Sequence, residues 1–119
     1  MTLVSVIHNY CAMAKQAEFF AALSDPTRLR VVELLGERPH RAGELAARIG
    51  ISAPVMSRHL RVLLRAGVIS DERGDDARVR IFRLRPEELA ATQAWLDQVQ
   101  AHWNEQLASF KRHVEQRKS

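Results

Sequence analysis

Ser52, Ser57, Arg58, His59, Arg61 and Arg65 fall within one short segment of the chain, and together they can donate to oxygen and nitrogen acceptors. Arginine presents a planar fork of donors suited to phosphate and to the guanine edge, and serine adds a short adaptable hydroxyl. Met56, Leu60, Leu63 and Leu64 recur in the same segment at helical spacing, which leaves Ser57, Arg58, Arg61 and Arg65 largely on the opposite side. A second cationic group, Arg73, Arg78, Arg80 and Arg83, sits further along in β-prone sequence. A third group, His8, Cys11, His102 and His113, has side chains that bind zinc or copper when brought together. The chain has no phosphate-cradling glycine loop, no nucleophile elbow and no acid pair set for general acid–base work, so an enzyme is not expected.

Specific local elements must hold the first group. Before it, Leu45, Ala46 and Ile49 mark one face of a short helix that Gly50 ends by taking a left-handed conformation. Ser52 then supplies an N-cap, and Pro54 lies in the first turn, where a missing N–H costs nothing. Residues 43–67 thus follow helix-turn-helix grammar, with the second helix as a candidate DNA reader. Its N-terminal half carries Ser57, Arg58 and His59 as candidate base contacts. Ser52 and Ala53 could also approach DNA, Ser52 through its hydroxyl and Ala53 by being small, although capping is the main role expected of Ser52. His59 either contacts DNA or lies half-buried beside Leu60 and Leu63. Arg61 and Arg65, further along the helix, are assigned to phosphates.

The period then changes. Residues 68–73 and 79–84 read as two short strands, and Gly74-Asp75-Asp76-Ala77-Arg78 between them reads as a turn, so residues 68–84 are predicted to form a β-hairpin wing. Arg73, Arg78 and Arg80 flank its tip and could enter the minor groove or pair with phosphates, whereas Asp75 and Asp76 there would repel phosphate. Upstream, Asp25 or Ser24 caps a helix whose buried face is marked by Leu29, Val32 and Leu35, with Gly36 expected to end it and a polar link over residues 37–42. Arg41 stands where a capping-box Ser or Thr would pair with Glu44, so a slightly frayed start is expected there. Residues 3–23 form an apolar helix with Leu3, Ile7, Tyr10, Ala14, Ala17 and Phe20 or Ala21 in phase. Residues 86–115 form one long helix whose stripe of Leu89, Leu96, Val99, Trp103, Leu107, Phe110 and Val114 is too long for a small domain to cover. The economical cover is the first helix together with a second copy of the chain. The last residues, 115–119, are expected to fray.

Length and charge agree with this plan. The 119 residues suit one domain, 46% hydrophobic and 27% charged. Lys and Arg exceed Asp and Glu by four, and the excess is concentrated: residues 28–85 hold 13 basic side chains, all arginine, against 7 acidic ones. Such a distribution points to nucleic acid, whereas an acidic protein partner is the competing reading. No run is apolar enough for a membrane span, the N-terminus makes a poor signal peptide, and a lone cysteine fits a reducing compartment, so a cytoplasmic location is expected.

The pieces Leu23-Ser24-Asp25-Pro26-Thr27-Arg28-Leu29-Arg30, Gly43-Glu44-Leu45-Ala46, Ser57-Arg58-His59-Leu60-Arg61-Val62-Leu63, Ala66-Gly67-Val68-Ile69 and Arg80-Ile81-Phe82-Arg83-Leu84 occur in one order. In that order the chain resembles the ArsR/SmtB family of winged-helix transcriptional repressors over residues 19–85. The resemblance implies a mainly α fold with a small β-hairpin wing, residues 1–119 as one winged-helix domain, and a homodimer built on helices 3–23 and 86–115. It also implies a double-stranded operator as partner, an inverted repeat read in the major groove, and no membrane.

The same resemblance allows a test for metal sensing. The family's thiol motif would fall on Arg41 and Gly43, neither a ligand, and its dimer-seam site would fall on Pro86, Glu88, Val99 and His102, which retains only fragments. No cofactor is therefore expected. The alternative is a non-standard site between dimer helices drawing on His8, Cys11, His102 and His113. Cys11 could otherwise sense oxidants, but no second cysteine or nearby cationic cluster supports that, and a buried place at the dimer interface is the simpler reading. Trp95 and Trp103 are read as core rather than as pocket walls.

Overall fold

The computed structural model describes the backbone of residues 3–73 and 78–118, and the surroundings of side chains 13–73 and 78–117. The chain divides into two compact units, Met1–Pro86 and Glu87–Ser119. The first holds α1 (Leu3–Leu23), α2 (Pro26–Glu37), β1 (His40–Arg41), α3 (Ala42–Ile49), α4 (Ala53–Arg65), β2 (Ile69–Arg73) and β3 (Arg80–Leu84).

The helix boundaries follow from local chemistry. Asp25 caps α2 by accepting the backbone N–H of Thr27 at 2.8 Å and of Arg28 at 3.1 Å, with Pro26 in the first turn. Those bonds, with that from Arg28 foremost, hold the Asp25 carboxyl below its ordinary value. Ser24 takes no part in the cap; its hydroxyl donates to Ala21 O at 2.7 Å and closes the end of α1. Gly36 does not end α2, as its position suggested. The helix runs on to Glu37, because burial of Leu34 and Leu35 outweighs the roughly 1 kcal/mol that glycine costs in a helix. Gly50, at φ 83° and ψ 39°, closes α3. Ser52 caps α4 through a long 3.4 Å bond from Val55 N.

The strands form a three-stranded antiparallel sheet in the order β1-β3-β2 rather than the two-stranded ribbon expected. Ile69 pairs with Leu84 and Arg73 with Arg80, and the added strand pairs His40 with Phe82 and Arg41 with Ile81. Two residues in a link containing Pro39 carry no alternation signal, so β1 was invisible in the sequence. Its pairing, with a 3.2 Å bond between His40 Nδ1 and Glu44, holds the start of α3 in place of the missing capping box. The turn expected at Gly74, Asp75, Asp76 and Ala77 lies outside the described residues.

The core draws on every layer of this unit. Val31, Leu34 and Leu35 of α2, Leu45 of α3, Met56, Leu60 and Leu63 of α4, and Val68, Ile69 and Phe82 of the sheet are almost wholly buried, whereas Leu29, expected on the buried face of α2, is 44% exposed and Val32 half-buried. From α1, Phe19 and Ala22 join the core, and Gln16 is buried in the same phase. Ala14, Ala17 and Phe20, the phase expected to be buried, are exposed in the single chain. The run Phe19-Phe20-Ala21-Ala22-Leu23 is apolar all round, so its periodicity did not fix which face turns inward.

The second unit is the body of α5 (Pro86–Lys118), a 33-residue helix with Glu87 and Glu88 in its first turn. It continues through the segment expected to fray, with only Ser119 outside the description. Trp103, Leu107 and Phe110 stand 60–66% exposed along it. No helix of the described residues is long and apolar enough to cross a membrane.

Candidate nucleic-acid interface

At 100° per residue, α4 sorts its side chains into distinct sectors. Met56, Leu60 and Leu63 form the buried one, at most 3% exposed. Ser57, Arg58, Arg61 and Arg65 emerge on the opposite side, all exposed. Arg58, Arg61 and Arg65 form no ion pair with any described residue, so their guanidinium donors face water. Ser52 and Ala53 lie exposed at the start of the helix.

His59 lies on a flank of α4 and is half-buried. Its Nδ1 is 3.4 Å from Nη1 of Arg28, whose Nε donates to Ala22 O at 2.7 Å. A guanidinium carries donors only, so Nδ1 is the acceptor in this contact. Arg28 therefore ties the end of α1 to the middle of α4. Sequence reasoning treated it only as part of a helix start, since nothing local in the segment shows a contact 31 residues away.

The wing arginines are in a different electrostatic condition. Nη2 of Arg80 donates to Asp71 at 2.6 Å and Nε at 2.9 Å, and the guanidinium carbon sits 5.2 Å from the centre of the Phe82 ring. Arg83 donates to Glu72 at 3.2 Å. Cross-strand register places these acids diagonally opposite the arginines, a pairing that strand alternation alone did not reveal. Arg73 and Arg78 are exposed. Asp75 and Asp76, considered as repelling groups, lie outside the described residues.

Between α4 and the wing lies a cleft of about 420 Å³, in the range of small-ligand sites. It brings together Ser57, Arg61, Arg78 and Arg80 of the expected set, and it adds Arg41. Sequence reasoning had considered Arg41 only as a defective cap and a missing metal ligand. Glu44, one turn along α3, is held ionised below its ordinary range by hydrogen bonds from His40 first and Arg38 second.

Of the candidate metal ligands, His102 and His113 are exposed on α5, and the side chains of His8 and Cys11 lie outside the described residues. Among the described residues no group of three or more His, Cys, Asp or Glu side chains is disposed to hold a metal ion.

A family profile described as a helix-turn-helix domain matches residues 23–72. The HTH-type transcriptional regulator Rv2034 of Mycobacterium tuberculosis is 37% identical over 89 residues, covering 75% of this chain and 78% of its own. The transcriptional repressor SdpR of Bacillus subtilis is 46% identical over 54 residues, 45% of this chain and 60% of its own. The matched region spans 57% of the length of two uncharacterised HTH-type regulators of M. tuberculosis. Among solved structures, an ArsR-like transcriptional regulator from Rhodococcus sp. RHA1 aligns with a TM-score of 0.78 at 32% identity, covering 85% of this chain and 93% of that one.

Proposed function

The chain belongs to the ArsR family of helix-turn-helix transcriptional regulators, and on that premise we propose that it is a homodimeric, cytoplasmic repressor of an inverted-repeat operator. The observation that carries this reading is the outer sector of α4, where Arg58, Arg61 and Arg65 are exposed and unpaired among the described residues. Ser57 and Arg58, nearer the start of the helix, face base edges in the major groove, with Ser52 and Ala53 at its mouth. Arg61 and Arg65 take phosphates, and Arg73, Arg78 and Arg80 reach the flanking backbone or minor groove from the wing. His59, engaged by Arg28, sets the pitch of α4 more than it reads a base.

Dimerisation is supported by the exposed Trp103, Leu107 and Phe110 of α5, an apolar stripe that a second copy would cover. Two α4 helices separated by about one turn of duplex, ~34–36 Å, then meet two half-sites. A titration of the chain's own promoter against random duplex tests the proposal. Preference for the promoter, lowered by Arg58→Ala, supports it. Equal weak binding to both duplexes by wild type would overturn it.

A further inference from the structure

The cleft between α4 and the wing has properties that contact with a DNA backbone does not require. Its described rim holds four arginines, Arg41, Arg61, Arg78 and Arg80, and no aspartate or glutamate. Asp71 offsets the charge of Arg80, but Arg41 and Arg61 form no ion pair with described residues, so the rim carries a net positive potential. Ala42 and Gly43, in the first turn of α3, line one wall, and the side chain of the N-cap residue Arg41 satisfies none of that turn's N–H groups. A Cβ built on Gly43 would meet nothing within 4 Å, so an approaching group has open access there.

The floor is of opposite character. Leu64 and Val79, both partly exposed, line it, with the almost wholly buried Leu60 and Phe82 behind them. A backbone phosphate is satisfied at an arginine rim and gains nothing from an apolar floor, whereas an organic anion uses both.

We propose that this cleft binds a small organic phosphate, its anionic head among Arg41, Arg61 and the start of α3 and its apolar body against Leu64 and Val79. The regulatory part of the proposal rests on the DNA-binding reading given above. Ser57, Arg61, Arg78 and Arg80 belong to both surfaces, so the bound anion excludes DNA and acts as an inducer by direct competition. The exclusion is mutual: operator DNA displaces the anion as the anion displaces DNA.

The test uses the full chain and 1-naphthyl phosphate, whose fluorescence reports binding without DNA. Saturable binding is expected, weakened about tenfold or more by Arg41→Ala and by Arg61→Ala. Arg48→Ala, which removes an exposed arginine of α3 outside the cleft, should leave it unchanged. Circular dichroism confirms that each variant is folded. Inorganic phosphate and 1-naphthol should each bind at least about tenfold more weakly than the conjugate, because each keeps one half of the recognition. Absence of saturable binding, insensitivity to Arg41 and Arg61, or equal affinity for inorganic phosphate would overturn the ligand assignment. Adding 1-naphthyl phosphate to the promoter complex should raise the apparent Kd for DNA in proportion to its concentration. Binding with unchanged DNA affinity would overturn the competition. Failure of wild type to prefer its promoter, with naphthyl phosphate still bound through Arg41 and Arg61, would instead count against the repressor reading and leave the ligand site supported.

Discussion

Arg58 and Arg80 have the same side chain and different electrostatic situations, and under the proposed function that difference makes Arg58 the better candidate to read DNA. Arg80 has Asp71 for a counter-ion and Phe82 beneath it, so a phosphate must compete with an existing pair. Arg58 meets only solvent among the described residues, so all of its donors are available to a partner. Arg58→Ala should therefore reduce specific binding by about 1–3 kcal/mol, measured by fluorescence anisotropy on the promoter duplex, whereas Arg80→Ala should cost less. Arg65→Ala should weaken promoter and random duplex alike and make the salt slope shallower by about two, one phosphate per protomer. The carboxyls follow a different rule. Asp25 and Glu44 are held below their ordinary values of 3.8 and 4.5. Below those values the unfolded chain takes up protons that the folded chain still refuses, so stability falls as pH drops through the depressed range and is fully present above the ordinary values. Asp25→Asn keeps an oxygen acceptor for the cap and removes the titration. Its unfolding midpoint should vary less with pH on the acid side than that of wild type.

At the scale of elements, α4 rests on its inner sector. Leu63 is fully buried, and Leu63→Ala should cost about 2–5 kcal/mol in urea unfolding, with DNA binding lost in step with the folded fraction. Gly50 is a separate case, since a Cβ there meets nothing within 4 Å but φ stands at 83°. The cost of Gly50→Ala is then backbone strain alone, about 1–2 kcal/mol, and Gly50→Asn should recover part of it. These elements were the legible part of the chain, because caps, glycine ends and a sustained helical period are local signals. Other features escaped that logic, among them the end of α2, which runs past Gly36 to Glu37. β1 is two residues long, its partner lies 42 residues on at Phe82, and no alternation announces it. The inward phase of α1 was hidden in a run with no polar residue to break the tie. The role of Arg41 at the cleft depends on α3, α4 and β3 meeting, which no window of sequence contains. The outer sector of α4 was legible because charge and period agree along one helix. The Arg28–His59 contact was not, since it joins two helices.

For the whole molecule, the claim is that two copies present two α4 helices to one duplex. Trp103, Leu107 and Phe110 are the exposed apolar area that the proposed dimer would bury. Leu107→Glu places a charge in that stripe and should convert the dimer to monomer in light scattering, while circular dichroism of the helices is retained. DNA affinity should then fall, because the two half-sites must be bound separately and the effective-concentration advantage is lost. The most direct test of the account is one titration series of wild type and Arg58→Ala on the chain's own promoter and on random duplex, from 50 to about 200 mM salt. Wild type should prefer the promoter by about 10³ or more, with log K falling linearly and steeply against log salt, and Arg58→Ala should lower that preference about 5- to 160-fold and keep most of the slope. A flat salt dependence, or a promoter preference unchanged in Arg58→Ala, would contradict the reading of α4 as the DNA-recognition helix.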